Sequence, residues 1–499
     1  MKIFSNIVLL LLLAGRLYAA DHYWIYFDKK NTAEANANCE TSGLSKIAFS
    51  DIPVDQNYLN TLAALGICIK SSSKWLNAAY AELDDDQLPL LAQLPMVSRI
   101  ELAGYLLMHD VEANAKRKLN KPLSQIKGEA MVKAGLNGTG VKIGVVDAGF
   151  KNLDKDATLA HLLSQNQIKA FKDYINPANK NPFDASASGM VDHGTKVLRL
   201  IAGKHKKNQF GLATNADFYL AYTDHDATEK RVEEAYWIAA LEWFDSLGVK
   251  LVNSSLGYAD GYDDPSENYL PAAVDGKSTA ITRAAQIAAT EKGMLIVVSA
   301  GNDGNRAFRI LSLPADAQDV LAVGANTQQS LMRARYSSIG PAWLSYAKPD
   351  VVCYSPNGTS FSAPVITGLA ACMMEYSPQL SNMEIMDMIK QSASIYPYAN
   401  NFIGYGVPDA SKIMNMFLGQ LPEPCLQIRF SEITEAEKTI YTGKKYMLFH
   451  KSDHQQVRTQ MLMLNKGSKR MLRLNPPADE IKRSTLANWQ YCYEILWNE

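Results

Sequence analysis

Between residues 126 and about 420 the sequence repeats one pattern. Short apolar runs occur at Lys142 to Val146, Phe218 to Tyr222, Lys250 to Val252, Leu295 to Val298 and Val320 to Val323. None alternates polar with apolar side chains. A strand that shows water on one face alternates with a period of two, so a run without alternation is read as buried on both faces. Stretches of helical spacing lie between the runs, such as Glu229 to Leu247 and Thr279 to Glu291. Strand and helix in turn predict an α/β fold: a parallel sheet with helices on both faces. Such a sheet gathers the carboxyl ends of its strands on one edge, where functional side chains collect.

The flanks follow other rules. Residues 1–19 carry Lys2, the apolar run Ile7 to Ala14 and the small residues Ala19 and Ala20, which is the pattern of a signal peptide. The run is too short for a spanning helix, no later stretch reaches the ~18 apolar residues a span needs, and a retained membrane anchor is the lesser alternative. Residues 20–110 read as a small α+β unit. Its expected strands are Tyr23 to Phe27, Ile67 to Lys70, Trp75 to Leu83 and Val97 to Leu102. Its expected helices are Tyr58 to Leu65 and a short one within Asp84 to Leu94. Residues 111–125 are polar and basic, with Pro122, and read as a linker. Residues 421–499 read as a small β-rich extension. Strand candidates there are Leu426 to Phe430, Met461 to Leu464 and the alternating Trp489 to Trp497.

Charge excludes one class of partner. Fifty Lys and Arg against 51 Asp and Glu give a net charge of −1, without the basic footprint that nucleic acid requires. Six cysteines fall two to a region: Cys39 and Cys68, Cys353 and Cys372, Cys425 and Cys492. They allow 15 connectivities, and the sequence does not choose among them. The middle pair is doubtful. A helix starting near Ser360 would carry Cys372 ~18 Å along its axis, away from Cys353.

Four polar groups stand where the α/β pattern exposes them. Asp147 ends the first strand and is followed by Ala148 and Gly149. His193, in Asp192-His193-Gly194-Thr195, opens an apolar helical stretch, and the other histidines are read as surface residues. Asn302 follows the strand ending Ser299-Ala300-Gly301. Ser360, in Asn357-Gly358-Thr359-Ser360-Phe361-Ser362-Ala363-Pro364, stands at a helix start, where free N–H groups and the helix dipole favour developing negative charge. Each alone also fits a turn or capping residue. Together they supply a nucleophile, a base, a carboxylate to orient the base, and an amide donor for an oxyanion.

The order Asp, His, Asn, Ser, with Ser255-Leu256-Gly257 between, resembles the subtilisin-like serine proteases, the subtilases. The matching stretches are Val141 to Phe150, His193 to Gly203, Val252 to Gly257, Val297 to Asn305 and Gly358 to Gly368, with a closing segment at Gly404 to Ala410. The resemblance covers about residues 126–415. It implies a subtilisin-like fold and a secreted endopeptidase acting through an acyl-enzyme. Ser360 would be nucleophile, His193 general base, Asp147 its orienting partner and Asn302 the oxyanion donor. Ser255, Leu256 and Gly257 would pair with an extended substrate, and Ala300 and Gly301 would line the facing wall of the specificity pocket. Partners would be protein or peptide substrates and the chain's own N-terminal unit, acting as pro-region and intramolecular inhibitor. Self-cleavage is then expected between Gly104 and Leu123. The location would be extracellular, periplasmic or cell-surface.

Some residues depart from the family pattern. Ala148 stands where Ser or Thr is frequent, and Lys196 and Arg199 replace small residues or His. No cofactor and no metal are expected in the chemistry. Asp260, Asp263, Asp264 and Glu267 offer carboxylates to a structural calcium, but without ordered ligand spacing a solvated loop is favoured. The competing reading is a catalytically silent or permanently inhibited subtilase-like binding protein. An α/β-hydrolase is excluded, because Ser360 comes last in the order and lacks the Gly-x-Ser-x-Gly elbow.

Overall fold

The computed structural model describes residues 21–30, 52–73, 77–83, 87–102, 118–183, 191–225, 229–263, 265–432, 439–441, 445–463, 471–473, 477–478 and 480–497. The signal segment 1–19, Cys39, Trp75, Leu76, Asp264 and residues 103–117 lie outside the described residues. The chain divides into two compact units, Met1–His109 and Asp110–Glu499.

In the first unit, β1 (Asp21–Phe27), β2 (Cys68–Ser73), β3 (Ala78–Leu83) and β4 (Val97–Leu102) form an antiparallel sheet in the order β2-β3-β1-β4. Helix Gln56–Ala64 starts where the Asp55 carboxylate accepts from the Asn57 N–H, and Leu62 anchors its apolar face. Ile25, Phe27, Leu62, Ala79, Ala81 and Leu83 fill the core. The expected short helix spans only Leu88–Leu91.

The second unit is built on seven parallel strands. They are β6 (Lys142–Asp147), β7 (Ile168–Asp173), β10 (Asp217–Tyr222), β11 (Leu251–Ser254), β12 (Leu295–Ser299), β13 (Leu321–Asn326) and β14 (Val351–Tyr354), in the order β14-β13-β12-β11-β6-β10-β7. The five runs read from the sequence are the five interior strands, and β7 and β14 are the edges. Helices His193–Ala202 and Ala363–Tyr376 pack together, and the second lies against β11 and β12. Ala363 to Met373 are buried along its length, so it is apolar all round rather than amphipathic.

The expected linker needs correction over 118–125. β5 (Lys118–Leu119) pairs in parallel with β9 (Asn208–Gln209), which pairs with β8 (Lys204–His205). Asn120 caps helix Lys121–Gln125 by accepting from the Leu123 N–H, and Leu123 and Ile126 are fully buried. Gln125 reaches both ends of its amide into the main sheet. Nε2 donates to the Thr327 carbonyl, and Oε1 accepts from the Tyr354 N–H at 2.7 Å. Asn120 and Gln125 are stitching, while Lys118, Lys121 and Ser124 stay exposed.

The C-terminal region forms a sheet of β15 (Leu426–Arg429), β17 (Tyr446–Lys451), β18 (Val457–Met463), β20 (Arg483–Ala487) and β21 (Cys492–Leu496), in the order β15-β21-β20-β17-β18. β16 (Thr439–Tyr441) pairs with β19 (Met471–Arg473). Strand β21 begins later than the alternation from Trp489 suggested, because the Asn488 side chain accepts from the Gln490 and Tyr491 N–H groups and forms a turn. β17 splits its side chains with period two. Met447 and Phe449 join the core of the main sheet, whereas Tyr446 and Leu448 join a separate cluster with Leu486, Ile495 and Trp497. The extension thus shares a core with the α/β domain. Cys425 and Cys492 form a disulfide, and Cys353 and Cys372 are buried thiols. Lys451 and Glu494, both fully buried, pair at 2.7 Å, and Thr485 Oγ1 donates to the same carboxylate.

Candidate active site

Asp147 is the last residue of β6 and is fully buried. His193 is the first residue of its helix. The two meet because Gly194 has no side chain: a Cβ there would stand 2.6 Å from the Gly149 carbonyl oxygen, to which the Gly194 N–H donates. His193 Nδ1 lies 2.6 Å from Asp147 Oδ1, which also accepts from the Ala148 N–H at 2.9 Å. This bond assigns the Nδ1 proton and leaves Nε2 as the ring's acceptor. The carboxylate raises the His193 pKa above the ordinary histidine range, against burial, which opposes it.

Ser360 lies in a short turn, Thr359–Phe361, directly before helix Ala363–Tyr376. The Phe361 ring stands 5.3 Å from the imidazole, which brings the serine's turn beside His193. Ser360 Oγ donates to the Ser255 carbonyl at 3.1 Å, and Ser255 Oγ donates to the Ser360 carbonyl at 2.9 Å. The hydroxyl is parked on the carbonyl of Ser255, the residue that follows β11.

Asn302 is exposed at the end of β12. Its Oδ1 accepts from the Thr359 N–H at 2.9 Å and from Thr359 Oγ1 at 3.2 Å. That fixes the amide's orientation, because a flipped amide would set NH₂ against N–H. Nδ2 is therefore left as a donor next to the turn of Ser360. Gly358 sits at φ +150°, a backbone conformation that favours glycine, and a Cβ there would be in ordinary contact with the Asn302 side chain at 3.7 Å.

The remaining expected residues flank this group. Ser255, Leu256 and Gly257 extend from β11, with the Leu256 carbonyl held by Ser299 Oγ at 3.2 Å. Ala300 and Gly301 extend from β12 across from them. Ser312, which carries no sequence signal, closes the space between. A Cβ on Gly257 would meet the Ser312 Cβ at 2.7 Å, and one on Gly301, at φ +102°, would meet Ser312 Oγ at 2.4 Å. Thr359 was visible only as part of the serine motif, and its hold on Asn302 appears only in three dimensions.

One other expectation differs in the structure. His161, His205, His225 and His450 are half-buried rather than on the surface, and burial pushes the His161 pKa down to about 4. In the acidic loop, Glu267 accepts from the Arg231 N–H. Among the described residues no three His, Cys, Asp or Glu side chains converge as a metal site.

A carboxylate-held imidazole beside a serine at a helix start, on the carboxyl edge of a parallel sheet, has the makeup of a serine hydrolase. The comparisons narrow the class. Residues 138–406 match the Subtilase family, and residues 22–121 match the Peptidase S8 propeptide domain, Bacteroidota. Subtilisin NAT of Bacillus subtilis subsp. natto is 26% identical over 349 residues, covering 68% of this chain and 80% of that one. The alkaline protease of Alkalihalobacillus alcalophilus is 28% identical over 298 residues, covering 58% and 68%. Among solved structures, the Clostridium perfringens CspB protease aligns with a TM-score of 0.47 and 16% identity, over 60% of this chain and 99% of that one. The chain belongs to the subtilase family. It is a serine-type endopeptidase that carries a propeptide domain ahead of the protease domain.

Proposed function

We propose that the chain is an exported zymogen that hydrolyses peptide bonds through an acyl-enzyme on Ser360. Ser360 Oγ leaves the Ser255 carbonyl and attacks the scissile carbonyl carbon, and His193 Nε2 takes its proton. The tetrahedral oxyanion accepts from Asn302 Nδ2 and the Ser360 N–H. The imidazolium, balanced by Asp147, then returns the proton to the leaving amine, and water repeats the sequence to release the acid. The observation that carries this reading is the 2.6 Å Asp147–His193 bond, which leaves Nε2 as acceptor beside the turn of Ser360. Ser255, Leu256 and Gly257 would add the substrate backbone as an extended strand, with Ala300 and Gly301 as the facing wall. The chemistry needs no cofactor.

A fluorophosphonate probe tests the assignment. Labelling of the matured protein that is lost in Ser360→Ala supports it; matured protein that takes no label would falsify it in favour of a silent binding protein.

The propeptide match supports a pro-region that inhibits the protease until it is cut. The match ends at residue 121, whereas 118–126 is folded into the protease unit. The cut is therefore assigned before Lys118. Ser360→Ala should persist as uncut precursor, and the mature wild type should begin at or before Lys118 by N-terminal sequencing. Normal maturation of isolated Ser360→Ala would remove self-processing. Export is supported by the leader pattern and by the Cys425–Cys492 disulfide. Among the described residues no helix is long and apolar enough to cross a membrane.

A further inference from the structure

The segment from Arg333 to Leu344 stands behind Asn302. The Ser338 N–H donates to the Gly301 carbonyl at 3.1 Å, and Ser338 Oγ accepts from the Asp303 N–H at 3.0 Å. One serine thus fixes the peptide groups on both sides of Asn302.

That segment is gripped from its other side by the C-terminal sheet, through the hairpin of β17 and β18. Gln460 Oε1 accepts from the Arg333 N–H at 3.0 Å. Gln455 Nε2 donates to the Leu344 carbonyl at 3.0 Å. Between these points Asn401 acts as a rivet. The Gly340 N–H donates to its carbonyl at 2.9 Å, and its Nδ2 donates back to the Gly340 carbonyl at 3.2 Å. Asn401 is itself bound to the hairpin three times. Its N–H donates to the Gln455 carbonyl at 3.0 Å, its Nδ2 to Gln456 Oε1 at 2.9 Å, and its Oδ1 accepts from the Val457 N–H at 2.9 Å. Within the segment, buried Arg333 lies over the Phe402 ring at 4.9 Å and donates to the Ala334, Arg335 and Ser337 carbonyls.

We infer that the C-terminal sheet is a positioning element of the protease. Gln455, Gln460 and Asn401 hold the 333–344 segment so that Ser338 keeps the Asn302 amide aimed at the oxyanion. The inference rests on the reading of Asn302 as an oxyanion donor. A donor of that kind stabilises the transition state only if it is held in place beforehand, and a displacement of about 1 Å is enough to lose much of its effect. A support for such a group acts on kcat and leaves substrate affinity alone.

The test is a double-mutant cycle in the matured full-length enzyme. Gln455→Ala with Gln460→Ala should lower kcat about tenfold and leave KM within about twofold. Gln460→Glu, which keeps an acceptor oxygen for the Arg333 N–H, should restore most of the Gln460→Ala loss. In an Asn302→Ala background the same two alanines should cost less than about twofold, because the group they position is gone. Should the double variant fail to mature, Gln460→Ala alone carries the comparison, since Gln460 is only half-buried. A hairpin variant with wild-type kcat, or a tenfold loss that persists undiminished in Asn302→Ala, overturns the inference while the oxyanion reading stands. An Asn302→Ala enzyme with wild-type kcat overturns the oxyanion reading itself, and the support role with it.

Discussion

Only one oxygen of Asp147 orients His193. Oδ1 takes both the imidazole and the Ala148 N–H, while Oδ2 is buried without a hydrogen-bond donor among the described residues. The neighbour at 148 is alanine and offers no hydroxyl, so its backbone N–H, but no side-chain donor from it, shares the carboxylate with the ring. The His193 pKa is raised, and His193 serves as a base only when neutral. Activity should therefore rise as pH increases through that raised value. Asp147→Asn removes the charge that raises it. The acid limb of kcat/KM should move to lower pH while the rate falls by about 10⁴-fold. Ala148→Ser brings a donor toward the carboxylate, and should move the limb in the same direction with most of the rate retained. Rate profiles over pH check both. Asn302→Ala should cost ~10²–10³ in kcat, read by steady-state kinetics. The residues in these predictions were legible in the sequence because each closes a strand or opens a helix next to a glycine or small residue. Ser312 and Ser338 were not. They act on Gly257, Gly301 and Asn302 through space, and nothing in their own neighbourhoods marks them.

At the scale of elements, burial decides what a sequence reveals. The five interior strands are covered on both faces and each carries an apolar run without alternation, and all five were readable. β7, at one edge, mixes exposed and half-buried side chains such as Lys169 and Lys172. β14, at the other edge, is only four residues long. Neither has a period that separates it from loop. Residues 118–125 mislead for the opposite reason, because Asn120 and Gln125 bind backbone groups that the sequence alone cannot locate. Helix Val232–Ser246 carries a further consequence. Its first turn buries Glu233, whose pKa burial pushes up to about 7, although the His225 and Lys230 N–H groups pull the other way. Asp224 nearby, buried and bonded by Thr223 and Tyr258, is raised as well. A carboxyl raised on folding stabilises below its unfolded value, near 4.5, and that contribution is lost as pH rises through about 7. His161, held down at about 4, works the other way over the same range, so the Glu233 effect is read as a difference between variant and wild type. The melting temperature of Glu233→Gln relative to wild type should rise from pH 5 to pH 8, as thermal melts of the two proteins at both values would show.

At the scale of the molecule, the protease domain and its C-terminal sheet are one body. The Cys425–Cys492 disulfide closes 67 residues of chain around that sheet. In the chain-entropy account such a loop stabilises by about 4 kcal/mol. Cys425→Ser with Cys492→Ser should lower the denaturant midpoint accordingly, and if the sheet positions Asn302, kcat should fall at temperatures where the sheet begins to open. The sequence showed a β-rich extension but not that β17 divides its side chains between two cores, since alternation says which residues share a face and not what covers it. Asn401 ties the two parts together, with one set of bonds to Gly340 and another to the hairpin from Gln455 to Val457. That arrangement sets terms for how such a chain changes over generations. An extension joined only by a tether can be exchanged between relatives like a detachable label. This one can be replaced only if the segment from 333 to 344 is rewritten in the same step, so related chains should inherit the two as a pair.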